Sequence, residues 1–369
     1  MRLILSFLCL CFALPVFAQD LQRSQHHAFK VVLVADALEF PWGMAFLPSG
    51  DVLVTEKPGR LLRVDVLSGE KNVIDNVPNV AFEGQGGLLD VMVHPHFENN
   101  QEIFLSYSAE DDGRFGTEAV RARLKDDALV DVERIFVADP KVKGGRHFGS
   151  RFLWGEDDKV YITLGDRGQR HFAQDPSNHI GSTIRINPDG SIPEDNPFVG
   201  HKTYRPEIFT YGNRNVQGIA LYPDGKDIWS HEHGPRGGDE VNILKSGGNY
   251  GWPEVTYGRE YYGLAITDQR SAPGMVDSIL HWTPSIAPCG MAFYTGDAFD
   301  AWRGDVFVGS LKDTHLRRLD VNAAGEIIGQ EILLQDMGER IRDVENGPDG
   351  FLYVLSDSHD AQLLRLEPQ

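Results

Sequence analysis

The chain has 369 residues, is 41% hydrophobic and carries a formal charge of −19. The apolar fraction is that of a globular protein and excludes a disordered polymer. The acidic balance excludes a protein that binds nucleic acid through a basic face, so no such partner is expected. After the first 18 residues no apolar run reaches the roughly 20 residues that span a bilayer, so no membrane span is expected either.

The N-terminal segment predicts export. Arg2 forms a short basic region, residues 3–14 are apolar, and residues 16–18 (Val-Phe-Ala) provide the small side chains that signal peptidase requires. We therefore expect a cleaved signal peptide over 1–18, a single catalytic domain over 19–369 and a periplasmic location.

The three cysteines of the chain bear on the same prediction. A lipoprotein signal is the alternative, but neither Cys9 nor Cys11 follows a small residue and both come too early for it. After cleavage Cys289 is the one cysteine left, which excludes an intrachain disulfide and a cysteine zinc cluster.

A strand–turn–strand pattern recurs six times. Each copy is a small or apolar strand, a turn of Pro, Asp and Gly, and a strand rich in Val, Ile, Tyr and Phe. The copies begin at Trp42, Gly87, Gly149, Gln217, Gly290 and Ile341. Their unequal spacing indicates a constant hairpin core with loops of different length. The pattern predicts an all-β, six-bladed β-propeller, with the strand over 29–38 completing the sixth blade and closing the ring. A parallel β-helix is the alternative, but its repeats are shorter and more regular.

Propeller topology selects candidate site residues. The loop that enters each first strand and the loop that leaves each second strand open on the same face of the ring. These loops contain Gln85, Arg146, His147, Asn213, Arg214, Asn215, Arg340 and Arg342, and then Asp166, Arg167, residues 231–240 and Lys312. An acidic protein thus gathers cations, a histidine and carboxylates at one mouth, which indicates a small polyanionic ligand.

Several of these residues allow two interpretations. His147 is either a buried structural histidine or a general base that Asp166 orients. His231 and His233 either bind a metal or flank a turn, and without a third His or Cys nearby zinc is the less favoured outcome. Residues 234–240, rich in glycine and oxygen donors, suit Ca²⁺ or form a structured turn.

The cationic and amide side chains also have structural alternatives. Arg340 and Arg342 could pair with acids such as Asp343, Lys312 could be a solvated loop charge, and Gln85 could hold its own loop. Their joint location at one mouth, rather than any single residue, favours a binding site.

The motifs together resemble the soluble PQQ-dependent dehydrogenases, and most of all the bacterial aldose sugar dehydrogenases. The resemblance runs from about Leu38 to the C-terminus and is carried by EGQGGLLDVMVHP, GGRHFGSR, YGNRN, HEHGPRGGDEVN, GGNYGWP, GSLK and RIRDV. It implies a six-bladed propeller that oxidises aldose sugars at C1 to the lactone and passes hydride to C5 of pyrroloquinoline quinone (PQQ). The electrons then pass to an acceptor that the sequence does not identify.

The resemblance also implies roles for individual residues. His147 would be the general base on the anomeric hydroxyl, oriented by Asp166. The carbonyls of Gly234 and Pro235 would bind a Ca²⁺ ion that polarises the quinone, and Glu240 with the Tyr250 backbone would form a second, structural Ca²⁺ site. The residues that would hold PQQ are Gln85, Arg214, Asn215, Tyr261, Lys312, Arg340 and Arg342.

The sequence departs from soluble glucose dehydrogenases in one position near the base. Arg146 precedes His147 where those enzymes have an acid, and the chain is shorter, so we expect a broad aldose range rather than narrow glucose specificity.

Two other functions fit a propeller: a Ca²⁺-dependent lactonase or other hydrolase, which would need acidic metal ligands at the axis, and a non-catalytic binding protein.

Overall fold

The computed structural model describes residues 21–369, which form six antiparallel sheets around a central axis. The predicted signal peptide, 1–18, lies outside the described residues. The chain begins with β1 (Gln22–Arg23) and β2 (Ala28–Leu38) and then builds the blades in sequence order. No helix within 21–369 is both long and apolar enough to cross a membrane.

The first three blades follow directly along the chain. Blade 1 is β3 (Pro41–Phe46), β4 (Val52–Glu56), β5 (Arg60–Val64) and β6 (Lys71–Ile74). Blade 2 is β7 (Leu88–Val93), β8 (Glu102–Asp111), β9 (Arg114–Lys125) and β10 (Ala128–Val137), with the short helix α1 (Phe97–Asn100) after β7. Blade 3 is β11 (Gly149–Trp154), β12 (Val160–Leu164), β13 (Thr183–Ile186) and β14 (Ile208–Thr210), with a 3₁₀ turn at Arg170–Gln174.

The last three blades complete the ring. Blade 4 is β15 (Val216–Leu221), β16 (Ile228–Glu232), β17 (Asp239–Ile243) and β18 (Leu280–Trp282). Blade 5 is β19 (Pro288–Phe293), β20 (Val306–Ser310), β21 (His315–Val321) and β22 (Ile327–Leu333), with 3₁₀ turns at Asp300–Trp302 and Gln335–Met337. Blade 6 is β23 (Ile341–Asn346), β24 (Leu352–Ser356), β25 (Ala361–Pro368) and then β2 and β1 from the start of the chain.

The N-terminal strand closes the ring, as predicted. β2 pairs antiparallel with β25, in a register that places Leu33 opposite Leu364. Phe29 of β2 is buried in one cluster with Trp302, Phe307 and Leu364, so the closing strand also packs against blade 5. The ends of the chain are therefore held in one sheet, which leaves no open edge between the first and last blades.

The six first strands line the axis and contact one another around the whole ring. The second strands of blades 1, 3, 4, 5 and 6 are buried along their entire length, because each is covered by sheets on both faces. Apolar side chains from adjacent blades form the core between them. This rigid frame fixes the ends of the first and second strands, where the predicted site residues lie.

Arg151 crosses the axis and joins three first strands. Its Nη1 lies 2.9 Å from Asp343 Oδ1 and 3.3 Å from Asp90 Oδ1, and its guanidinium lies 4.1 Å from the centre of the Trp42 ring. Its Nη2 donates to the carbonyl of Arg342 at 3.1 Å. Since all three charged side chains are buried, the pair of carboxylates depends on this one cation.

Replacing Arg151 by methionine is expected to destabilise the fold by about 3–5 kcal/mol, because two buried carboxylates lose their cation. Thermal or denaturant unfolding measures the change. Arg123→Met is the matched control, since Arg123 pairs with Asp131 and both side chains are more than half exposed (54% and 57%); its loss should cost less than about 1 kcal/mol. Equal stability of the two variants would contradict the role given to the axial network.

Candidate active site

Most of the predicted mouth residues line two neighbouring pockets on one face of the ring. The axial pocket contains Gln85, Asn215, Arg340 and Arg342, and the second pocket contains His147, Asp166, Arg214, Pro235 and Tyr261. The His147 backbone N–H links the two pockets by donating to Gln85 Oε1 at 2.7 Å. Asn215 Oδ1 accepts from the N–H of Gly149 at 3.1 Å, which ties the blade 3 and blade 4 loops together.

His147 and Asp166 form a pair because they flank the same hairpin. His147 precedes β11 and Asp166 follows β12, so both lie at the mouth end of blade 3. His147 Nδ1 lies 2.6 Å from Asp166 Oδ1. Trp252 Nε1 donates to the other carboxylate oxygen at 2.8 Å, and the N–H of Gly168 donates to Oδ1 at 2.7 Å. The carboxylate is therefore held in position on both sides.

The charges of this pair follow from its surroundings. Burial lowers the pKa of His147, and the hydrogen bond to Asp166 opposes that effect without reversing it. Burial favours a higher pKa for Asp166, but the hydrogen bond and charge of His147, with Arg214, outweigh it and leave the pKa of Asp166 below its usual value. At neutral pH the imidazole is neutral, donates through Nδ1 to an ionised carboxylate, and leaves Nε2 to accept a proton.

The backbone at His147 is unusual for a residue with a side chain. Its φ is +55°, in the left-handed region that favours glycine. Gly165 packs against it so closely that a Cβ at Gly165 would lie 2.1 Å from the His147 carbonyl oxygen. Local strain of this kind persists where the surrounding structure imposes it, and it is common at active sites.

Arg214 occupies the floor of the second pocket. Its Nη1 donates to the carbonyls of His233 (2.9 Å) and Gly234 (3.0 Å), and its Nη2 lies 3.4 Å from the Tyr261 hydroxyl. The Gly234 carbonyl, a predicted Ca²⁺ ligand, thus accepts from a guanidinium in this structure. Pro235 lies on the wall of the same pocket, and Tyr261 is 69% exposed at its rim.

Arg340 and Arg342 converge on one carboxylate. Asp357 Oδ2 accepts from Arg340 Nη2 at 2.7 Å and from Arg342 Nη2 at 3.0 Å. Burial favours a higher pKa for Asp357, but the charges of Arg342 and Arg340 lower it to about 2. Asp357 Oδ1 and Arg342 Nε are buried without a hydrogen-bond partner. This end of the axial pocket therefore contains one unpaired acceptor and one unpaired donor.

The ammonium of Lys312, a residue predicted to hold PQQ, is bound by other groups of the protein. Its ammonium donates to the carbonyl of Ser285 at 2.7 Å and contacts Asp313 at 3.3 Å. The preceding residue, Leu311, lies on the wall of the axial pocket, whereas Lys312 does not. The carbonyl and the adjacent acid bind this half-exposed ammonium beside the pocket.

The two remaining predicted metal residues lie in blade 4. Glu240 pairs with Glu232 across β17 and β16, and burial together with the charge of Glu232 raises the pKa of Glu240 well above its usual value. Asn213 and Asn242 donate to Glu232 Oε1, and the amide oxygen of each is buried without a partner. Two carboxylates and two free amide oxygens form a donor set that suits a hard cation such as Ca²⁺.

Tyr250 is buried nearby, and its hydroxyl donates to the carbonyl of Ile243 at 2.7 Å. Within residues 21–369 no group of three His, Cys, Asp or Glu side chains is arranged to hold a metal ion, so a site here depends on amide and backbone oxygens as well.

His231 and His233 each contact a backbone carbonyl of the next blade through Nε2. The Nε2 of His231 contacts the carbonyl of Gly290 at 2.9 Å, and the Nε2 of His233 contacts that of Pro288 at 2.6 Å. Both histidines therefore bind the backbone of blade 5, and burial lowers both pKa values.

Several pocket residues were not among the predicted site residues, and three of them are polar groups that bear on the site. Lys57 and Asp357 line the axial pocket, and Trp252 lines the second one. Lys57 follows β4 and Asp357 follows β24. Because loops after second strands open on the mouth face, the topology could have placed both residues at the mouth. Trp252 lies in the long connection between β17 and β18, whose path no strand pattern indicates.

The mouth of this propeller combines a histidine–carboxylate pair with a pocket lined by cations, an arrangement that suits an enzyme acting on small molecules. Residues 38–365 match the model of the glucose / sorbosone dehydrogenase family. The chain belongs to that family of oxidoreductases.

Individual relatives agree with this assignment. The chain is 41% identical over 346 residues to aldose sugar dehydrogenase YliI of Escherichia coli, covering 92% of this chain and 93% of the relative. The structure of the soluble aldose sugar dehydrogenase from Escherichia coli in its apo form superposes with a TM-score of 0.89, covering 92% of this chain and all of that one at 40% identity. The PQQ-bound aldose sugar dehydrogenase of Streptomyces coelicolor gives a TM-score of 0.77 at 26% identity, covering 92% and 98%.

Proposed function

We propose that this protein oxidises aldose sugars at C1 to lactones, with PQQ as the bound electron acceptor and Ca²⁺ as the metal. The observation that carries the proposal is the location of the His147–Asp166 pair beside the cationic axial pocket, at one mouth. The relatives support it, since one is named an aldose sugar dehydrogenase and another is described in a PQQ-bound form.

The residues of the axial pocket fit PQQ, which has three carboxylates. Arg340 and Arg342 provide charged donors, and the unpartnered Nε of Arg342 is available to an acceptor. Gln85 and Asn215 add amide groups on the side that leads to His147. Arg214 and Tyr261 extend the set into the second pocket, and Lys312 would have to leave the Ser285 carbonyl to join it. When bound, PQQ supplies the two-electron acceptor for the hydride from C1.

The His147–Asp166 pair accepts the proton that the sugar releases in the reaction. His147 Nε2 takes the proton of the anomeric hydroxyl, and the ionised Asp166 stabilises the imidazolium that results. Trp252 and Gly168 keep that carboxylate in place, so the imidazole is already oriented when the sugar arrives. Such a pair is the arrangement expected for general base catalysis.

The fit to Ca²⁺ rests on oxygen donors. The carbonyls of Gly234 and Pro235 would hold the catalytic ion, which requires Arg214 to release the Gly234 carbonyl. Glu240 and the Tyr250 backbone would hold the second ion, and the buried amide oxygens of blade 4 support that site.

Two further properties belong to the proposal. The exposed Arg146 lies on the wall of the pocket beside His147. The sugar would therefore contact a cation at the position where glucose-specific enzymes have an acid. For this reason we expect the enzyme to oxidise a broad range of aldoses. The N-terminal sequence supports export to the periplasm.

Activity is expected to require both PQQ and Ca²⁺. Apo protein prepared with EGTA should reduce a redox dye in the presence of an aldose only after both are added, and neither alone should suffice. An absorbance scan during PQQ addition reports binding separately from turnover. Full dye reduction in EGTA by protein shown to be free of tightly retained metal would contradict the Ca²⁺ requirement. Lactone hydrolysis without PQQ would support the lactonase alternative, and PQQ-independent sugar binding without oxidation would support a binding protein.

A further inference from the structure

We propose that Lys57 is an additional cation of the cofactor cradle, and that its ammonium binds a carboxylate of PQQ at the Arg340–Arg342 end of the axial pocket. The inference rests on the proposed function and deepens it, because it assigns a pocket residue that the predicted set did not contain. Lys57 follows β4, on the mouth face of blade 1.

The backbone of Lys57 is fixed between two blades. Its N–H donates to the carbonyl of Phe40 at 3.1 Å, and its carbonyl accepts from the N–H of Leu88 at 3.0 Å. Gly87 packs directly against it, since a Cβ there would lie 2.1 Å from the Lys57 carbonyl oxygen and φ at Gly87 is +135°. The base of the side chain is therefore held at the pocket wall rather than on a mobile loop.

Among the residues that the structure describes, no carboxylate pairs with the side chain of Lys57. Its Nζ lies 5.1 Å from the centre of the Phe40 ring and 5.9 Å from that of Phe82, within the range of cation–π attraction. Across residues 21–369 the Lys57 ammonium forms no salt bridge. A partly buried ammonium without a carboxylate is uncommon, because lysines with no partner usually extend into water.

The local charges leave room for an anion. Lys57, Arg340 and Arg342 line the same pocket with one carboxylate, Asp357, so three cations face one anion. Burial lowers the pKa of Lys57, the charge of Arg342 lowers it further, and Asp357 opposes both effects more weakly. Because these like charges repel one another, the excess of positive charge does not stabilise the fold of the apo protein. An aldose is neutral and cannot balance it, whereas a carboxylate of PQQ can.

Lys57→Met tests the proposal, because methionine keeps an apolar stem over the two phenylalanines and removes the charge. Titration of apo protein with PQQ in the presence of Ca²⁺, followed by the absorbance of bound PQQ, should show an affinity about 10- to 150-fold weaker than that of wild type. The affinity should also depend less on salt concentration, because one charge is lost. Lys57→Arg should retain most of the affinity.

The unfolding temperature of the apo protein separates binding from structure. It should not fall in Lys57→Met, because a cation that Arg342 repels has been removed. Lys226→Met is the matched control: Lys226 is exposed in the turn between β15 and β16, on the opposite face, and its loss should leave PQQ affinity unchanged.

Two results would overturn the inference. Wild-type affinity in Lys57→Met, with or without a lower unfolding temperature, would show that Lys57 does not bind PQQ. Absence of PQQ binding by the wild-type protein would overturn the proposed function and this inference together. The wild-type titration therefore distinguishes the two failures.

Discussion

Replacing His147 by alanine is expected to lower turnover by about 10²–10⁴-fold while PQQ still binds, because this is the usual contribution of a general base. The imidazole is held 2.6 Å from Asp166 and has no role in the cationic end of the axial pocket. Dye reduction at saturating sugar gives turnover, and PQQ titration gives cofactor affinity. His96→Ala is the control, since His96 is exposed in the turn after β7, away from the mouth.

The pH dependence of the same reaction gives an independent test of His147. A general base acts when unprotonated, so activity falls as the pH drops through its pKa. Because burial lowers the pKa of His147 from its ordinary 6.5, the acid limb of kcat/KM should lie below pH 6.5. The limb should be absent from the residual activity of His147→Ala. Loss of PQQ binding in that variant, or an unchanged limb, would show that His147 is not the base.

Replacing Arg342 by alanine is expected to weaken PQQ binding about 10- to 150-fold, since a charge-assisted hydrogen bond contributes on the order of 1.5–3 kcal/mol. Arg342 is buried at the pocket wall, and its Nε has no partner. Arg342→Lys should recover only part of the affinity, because an ammonium cannot reproduce the two parallel bonds of a guanidinium. PQQ titration of the apo variants measures both effects.

Lys312→Ala is the comparison for Arg342, and its effect on PQQ affinity should be smaller because the Lys312 ammonium is bound to the Ser285 carbonyl. Thermal unfolding of the apo proteins checks that both variants fold. If Arg342→Ala binds PQQ as wild type does, the cationic pocket is not the cofactor site and the quinone proposal loses its main physical support.

The blades could be predicted from the sequence because short-range features, alternating apolar residues and turns, specify their hairpins. The predicted starts of the six copies lie within two residues of the first strands, from Pro41 of β3 to Ile341 of β23. Alternating Val, Ile and Tyr with glycine turns specify the first two or three strands of a blade. Two of the fourth strands, β14 (Ile208–Thr210) and β18 (Leu280–Trp282), have only three residues each and too little alternation to be recognised.

The candidate site was predictable only where the strands fix the loops. His147 and Asp166 lie directly beside strand ends, and the structure pairs them as expected. Lys57 and Asp357 occupy equivalent positions, but Lys57-Pro58-Gly59 has the composition of an ordinary turn and Asp357 that of a loop acid. The direction of a long side chain is not fixed by topology either, which explains why Lys312 lies beside the pocket rather than on its wall.

We propose that the protein itself transfers the electrons of an aldose to bound PQQ. The most direct measurement is a single turnover without oxygen or dye, in which protein loaded with PQQ and Ca²⁺ is mixed with an aldose. We expect the absorbance of the bound quinone to change to that of the quinol as an equivalent amount of lactone appears. His147→Ala should slow both changes equally. Consumption of the sugar with PQQ still oxidised, or bound PQQ that never responds to an aldose, would contradict it.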